Sequence, residues 1–262
     1  MLFFLFLAGL AAGFVDAVAG GGGLITVPAL LWAGLPVQWA LGTNKMQGAC
    51  GTALAVSRYA KAGLVTWKEV RLSVLFTFMA AVVGALVVDS VDKSLLKAVV
   101  PWLMLAVAVY SWLSPKLGEE AHAARISAKT FSVTGGAVLG FYDGFFGPGT
   151  GAFWALSLVT FRGMTLSRAT AFTKVVNLTS NLAGLLVFWH AGTVSTGFGL
   201  IMIVGQLIGA RLGSGMVLKH GDVFVRRVFL VVVFALTIRL LWEQLSPRFP
   251  RPAPVPVLQP AQ

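Results

Sequence analysis

GFVDAVAGGGG occupies Gly13–Gly23 and GFYDGFFGPGTG occupies Gly140–Gly151. Each stretch places one carboxylate, Asp16 or Asp143, at the end of an apolar run and follows it with a glycine-rich break. Glycines interrupt a helix and leave backbone N–H groups exposed. The short apolar stretch that resumes near Leu24 or Ala152 then aims its positive N-terminal end at the break, an arrangement that binds small anions. A tight turn between close-packed helices would need glycine as well, so one break alone leaves both readings open. Two such breaks, each with a carboxylate and a lysine at matching places, favour a binding function.

The surrounding composition fixes the class. Of 262 residues, 57% are hydrophobic and 11% are charged, and the mean hydropathy is +0.86. Soluble domains carry roughly 25% charged residues. Apolar runs recur from end to end, several of them reaching the roughly 20 residues that cross a bilayer. The expected fold is an all-α polytopic membrane protein. The first run has no cationic start and is longer than a signal-peptide core, so it reads as the first membrane helix. The net charge of +11 sits mostly in short loops, where it sets topology rather than binding nucleic acid. A single cysteine, Cys50, excludes an intrachain disulfide and a CxxC motif.

Ten helical segments are expected, at 2–19, 24–34, 37–60, 69–89, 95–113, 130–146, 151–163, 165–189, 194–218 and 223–243. They form two repeats: 1–113 and 130–243, joined by a polar linker at 114–129 and followed by a disordered Pro-rich tail at 244–262 that holds six of the eleven prolines. The matches run in order: Gly9 and Gly13 with Gly136 and Gly140, Asp16 with Asp143, Gly20 with Gly147, Ala40 and Lys45 with Ala169 and Lys174, and Gly63 with Gly192. Five segments per repeat make the halves inverted. Placing the basic loops at 58–71, 162–168 and 211–227 in the cytoplasm also puts the linker inside and the uncharged turns at 34–37 and 190–193 outside, as positive-inside bias requires. Whether 24–34 and 151–163 fully span is left open.

Inverted repeats carry substrate sites near the midplane, at the repeat interface. Lys45 lies about 12 Å from one end of its segment and Lys174 about 13 Å from the opposite end of its own. Each is therefore near the centre of the membrane, where a charge must face the bundle interior. Two readings stand: structural pairs, Lys45 with Asp16 and Lys174 with Asp143, or a cationic site for an anion. The candidate binding residues are Gly20, Gly21, Gly22, Gly23, Thr43, Asn44, Lys45 and Gln47 in the first half. In the second they are Gly147, Gly149, Gly151, Thr173, Lys174, Asn177 and Asn181. Asp16 and Asp143 serve as a coupling or charge pair. Thr170, Thr173, Lys174, Asn177, Ser180, Asn181 and Gly184 form one helical stripe. Gly205, Gly209 and Gly213 form a GxxxGxxxG packing face. There is no P-loop, HExxH or Cys/His cluster, so no catalytic residue, metal or cofactor is expected.

The motifs GFVDAVAGGGGLITVPALL, ALGTNKMQG, PKLGEE, GFYDGFFGPGTG and KVVNLTSNLAGLL resemble the TauE/SafE family of sulfite and organosulfur anion exporters, over roughly residues 9–243. The resemblance implies a bacterial inner-membrane, multi-pass permease for sulfite, thiosulfate, a sulfonate or a similar anion. The expected function is a secondary transporter, as an exporter, with a small anionic substrate and the lipid bilayer as partners, no nucleic acid, and homo-oligomerisation left open. A membrane assembly or scaffolding protein without transport is the alternative. The second glycine break contains Pro148 and fewer glycines than the first, so the two half-sites need not bind alike.

Overall fold

The computed structural model describes residues 1–88, 118–147 and 149–245, together with 102, 105, 106, 109, 110, 112 and 113. The expected segment 95–113 falls outside the described residues except at those scattered positions, as do Pro148 and the tail from 246 onward. Among the described residues the protein is entirely helical, without strands. In chain order the helices are α1 (Leu2–Ala19), α2 (Gly23–Trp32), α3 (Val37–Lys61), α4 (Trp67–Leu86), α5 (Ala128–Phe145), α6 (Thr150–Arg162), α7 (Leu166–His190) and α8 (Thr196–Leu245). α1, α4 and α7 are long and apolar enough to cross a membrane. The protein is a polytopic helical membrane protein.

Local chemistry sets the ends. Thr66 and Glu69 form a reciprocal capping box on α4, and Ser127 Oγ accepts from Thr130 N–H to start α5. Gly20 and Gly21 close α1 with φ of 73° and 119°, and Gly147 and Gly149 take 87° and 86° before α6. These left-handed values fit glycine and strain any other residue. Pro28, inside α2, has no N–H for the carbonyl of Leu24. Arg239 supplies one instead, its Nη1 donating to Leu24 O at 3.0 Å.

Segments 194–218 and 223–243 are the two limbs of α8, divided at the kink at Gly221 (φ 65°, ψ −155°). Asp222 and Arg226 sit beside Ser167 and Glu119, whereas Arg239 reaches Leu24 beside the glycine break. The second limb thus runs back alongside the bundle. A single glycine makes the turn between the limbs.

The helices interlock across the halves. α1 packs along α8, and α5 packs along α4. Close approach needs small residues: a Cβ at Gly209, Gly205 or Gly144 would strike the backbone carbonyl of Leu10, Phe6 or Ala81. The GxxxGxxxG face is therefore a packing face. Two apolar clusters flank the middle of the bundle. One contains Tyr59, Phe131, Trp154 and Leu158; the other contains Leu5, Leu30, Leu41, Phe188 and Met202.

Candidate functional site

The two glycine breaks touch. A Cβ on Gly20 would lie 2.6 Å from the Cα of Gly151, and a Cβ on Gly151 would lie 2.6 Å from the Cα of Gly20. Only glycine at both positions lets the backbones meet. Beside this contact opens a cavity of about 40 Å³. At ~10–15 Å³ per water, it holds about three waters or one small polyatomic ion.

The cavity wall is polar. Asp16, Gly21, Gly22, Gly23, Asn44 and Gln47 line it from the first half, and Asp143, Gly147, Gly151, Asn177 and Asn181 from the second. Eleven of the residues singled out in the sequence therefore converge on one space. Gly20, Thr43, Lys45, Gly149, Thr173 and Lys174 do not line it. Thr43 Oγ1 instead accepts from Ser195 N–H at 2.9 Å. Thr173 Oγ1 is buried without a partner among the described residues. Gly149 is the left-handed residue that starts α6.

Three lining residues escaped the sequence reading: Gly48, Thr150 and Gln206. Gln206 was the legible one. It is an isolated carboxamide in the apolar run FGLIMIVGQLIGA, and a polar residue in such a run faces the bundle interior. Its position between Gly205 and Gly209 disguised it as part of a packing face.

The charges pair crosswise, which corrects the expected pairs within each half. Lys45 Nζ donates to Asp143 Oδ1 at 2.8 Å and to Asp143 O at 2.7 Å. Lys174 Nζ lies 3.3 Å from Asp16 Oδ1 and also donates to Asp16 O. The halves interlock, with α3 packed on α7 and α8 and α7 packed on α4 and in contact with α1, and each lysine meets the first helix of the other half. Lys45 is 2% exposed and Lys174 0%. Both ammonium groups are held by carboxylates behind the cavity wall, and the two pairs sum to zero charge.

What the wall offers a ligand is therefore uncharged N–H donors, set beside amide oxygens and two lysine-held carboxylates. The backbone N–H groups of Gly22, Gly23 and Gly151, at the starts of α2 and α6, have no acceptor among the described residues. Asn44 Oδ1 accepts from Gln47 Nε2 at 2.9 Å and from Thr26 Oγ1. That arrangement spends the oxygen and leaves the Asn44 amide nitrogen to the cavity. Gln47 Oε1, Asn177 Oδ1 and Gln206 Oε1 are buried without partners among the described residues. Buried amides are ordinarily bonded, so three such oxygens around one space set it apart from the packed core. Among the described residues, no three or more His, Cys, Asp or Glu converge as a metal site would require.

Comparison with known proteins places relatives along nearly the whole chain. The family described as Sulfite exporter TauE/SafE matches residues 5–240. The chain is 41% identical over 239 residues to "Probable membrane transporter protein YfcA" of Escherichia coli (strain K12), covering 91% of this chain and 89% of that one. It is 40% identical over 245 residues to a "Probable membrane transporter protein" of Haemophilus influenzae, covering 93% and 96%. It is 42% identical over 247 residues to "Probable membrane transporter protein ORF9" of Sinorhizobium sp, covering 94% and 95%. No solved structure matches the chain.

Proposed function

The chain belongs to the Sulfite exporter TauE/SafE family, and from that premise we propose that it is a secondary transporter, not an enzyme, which carries a small oxyanion through the cavity where the two glycine breaks meet. The observation that carries this reading is the convergence, on one small space between two apolar clusters, of helix-start N–H groups that have no acceptor among the described residues. Helix starts and N–H groups bind oxyanions without a net positive wall. The volume suits sulfite, thiosulfate or the head of a sulfonate. A purely structural assembly protein has no use for unpaired buried amides, which cost stability.

We place the protein in a bacterial inner membrane, with two inverted repeats of five segments across the linker 114–129. An inside-negative potential favours the exit of a net negative cargo by about 2.3 kcal/mol per charge per 100 mV, so export is the proposed direction.

The test is a thermal-shift panel on purified protein with sulfite, thiosulfate, sulfate, sulfoacetate and small carboxylates. A ligand of the native state at 100 times its Kd stabilises by about 2.7 kcal/mol. A sulfur oxyanion is expected to raise the midpoint and chloride to leave it unchanged. No shift with any oxyanion, at concentrations up to tens of millimolar, overturns the reading.

A further inference from the structure

The repeats match position for position, but the carboxylates do not have equal surroundings. Asp143 is saturated: Oδ1 accepts from Lys45, and Oδ2 accepts from Ser180 Oγ. Asp16 has Lys174 on Oδ1 and no partner on Oδ2 among the described residues. The register that matches Lys45 with Lys174 matches Ser180 with Gly51, so the first half lacks the hydroxyl. The space beside Gly51 is filled by Gln206, whose Nε2 would lie 2.7 Å from a Cβ placed there. Both Asp16 and Gln206 line the cavity.

Other groups around Asp16 are few. α7 brings Lys174. α3 brings Tyr59, whose Oη is committed to Ala17 O at 2.8 Å. α5 brings Asp143 across the cavity. α2 has no titratable residue and α6 has only Arg162 at its far end. On α8, Arg239 donates to Leu24 O beside the break, the side chain of Arg211 is exposed, and Lys219, His220, Asp222, Arg226 and Arg227 lie around the kink at the basic end.

We propose that Asp16 carries a proton together with the anion, while Asp143 remains a fixed counter-ion. This rests on the anion reading above. The empty site is neutral, with two lysines and two aspartates, and an arriving oxyanion adds negative charge where screening is weak. A proton from water bonds to Asp16 Oδ2 and removes one negative charge. Lys174, released from its counter-charge, then attracts the anion. Anion and proton leave together on the other side, the proton returning to water. A divalent anion with one proton still exits with a net charge of −1, so the potential continues to favour export.

The probe is thiosulfate, which stays fully deprotonated above pH 5. The full chain in weakly buffered detergent is titrated with thiosulfate while a pH dye reads proton uptake and calorimetry reads binding. The wild type is expected to take up about one proton per anion bound. Asp16→Asn should bind with no uptake, and Asp143→Asn should still take up a proton. Should Asp16→Asn fail to fold, Ser180→Ala frees an Asp143 oxygen at unchanged charge and is expected to raise the uptake above one. Binding without proton uptake in the wild type overturns the assignment, as does loss of uptake in Asp143→Asn alone or an unchanged count in Ser180→Ala. Sodium dependence with no uptake overturns it in favour of a metal cation. Absence of any oxyanion binding removes the anion reading and this inference with it.

Discussion

At the scale of single residues, the crossed ion pairs carry the sharpest prediction. Breaking a buried pair by removing one partner costs about 3–5 kcal/mol, because the other charge stays behind unpaired. Lys45→Met should therefore lower the thermal midpoint and the yield of monodisperse protein. Adding Asp143→Asn should restore both, since Asp143 holds Lys45; adding Asp16→Asn should not. Lys174→Met should show the mirrored pattern, rescued by Asp16→Asn alone. Rescue by the aspartate of the same half would contradict the interlocked packing. The chain order puts each lysine well inside a long segment and each aspartate just before a glycine break. It does not show which helix each lysine meets, because the partner is fixed by how the halves dock and not by spacing along the chain.

At the scale of elements, glycine has two jobs, and they are separable by mutation. Gly63 and Gly192 end α3 and α7 with φ of 74° and 68°, and a Cβ on either would meet nothing within 4 Å. Alanine there should cost only the backbone term, about 1 kcal/mol. Gly205, Gly209 and Gly213 have helical backbones, yet a Cβ would run into Phe6, Leu10 or Phe14 of α1. Gly209→Ala should cost more, about 1–3 kcal/mol, by forcing α1 and α8 apart. Thermal midpoints of the two alanine variants in the same detergent should therefore rank Gly63→Ala above Gly209→Ala. Helix ends were legible to within about two residues where hydrophobic runs met glycine or a cap, as in α6, expected at 151–163 and found at Thr150–Arg162. The two limbs of α8 were legible as separate segments, 194–218 and 223–243, on either side of the kink at Gly221. The cavity's carboxamides were legible on α3, where they flank Lys45, and on α7, where they form a stripe. Gln206 left a weaker signal, since one polar residue in an apolar run makes no stripe.

At the scale of the molecule, the loops sort by charge into two ends. Arg168 pairs with Glu69 at 2.5 Å, which brings the loop before α4 to the start of α7. Gly163 O accepts from His122 N–H and Gly118 O from Leu166 N–H, so the described part of the linker docks on the turn between α6 and α7. Arg58 donates to Arg211 O, and Asp222 accepts from Ser167 N–H. All the basic loops named in the sequence thus gather at one end. At the other, Phe4 packs on Trp32 and Ser195 N–H meets Thr43, so the start of α1 lies with the uncharged turns. Lysine and arginine in short loops orient a membrane protein with that end in the cytoplasm. Reporter fusions after residues 65 and 122 should read as cytoplasmic and a fusion after 192 as external. Residue 192 decides between arrangements. If α2 and α6 count as spans, each half has five crossings, the halves are inverted, and the turn after α7 lies outside. If they were re-entrant, each half would have four crossings, the halves would be parallel, and the cluster at 211–227 would face outward. The structure holds 211–227 beside the linker and beside Arg58, so that outward placement would drag the linker and the loop after α3 outside with it. A cytoplasmic reading at 192 would therefore reverse the whole basic end, against the charge bias of four loops at once.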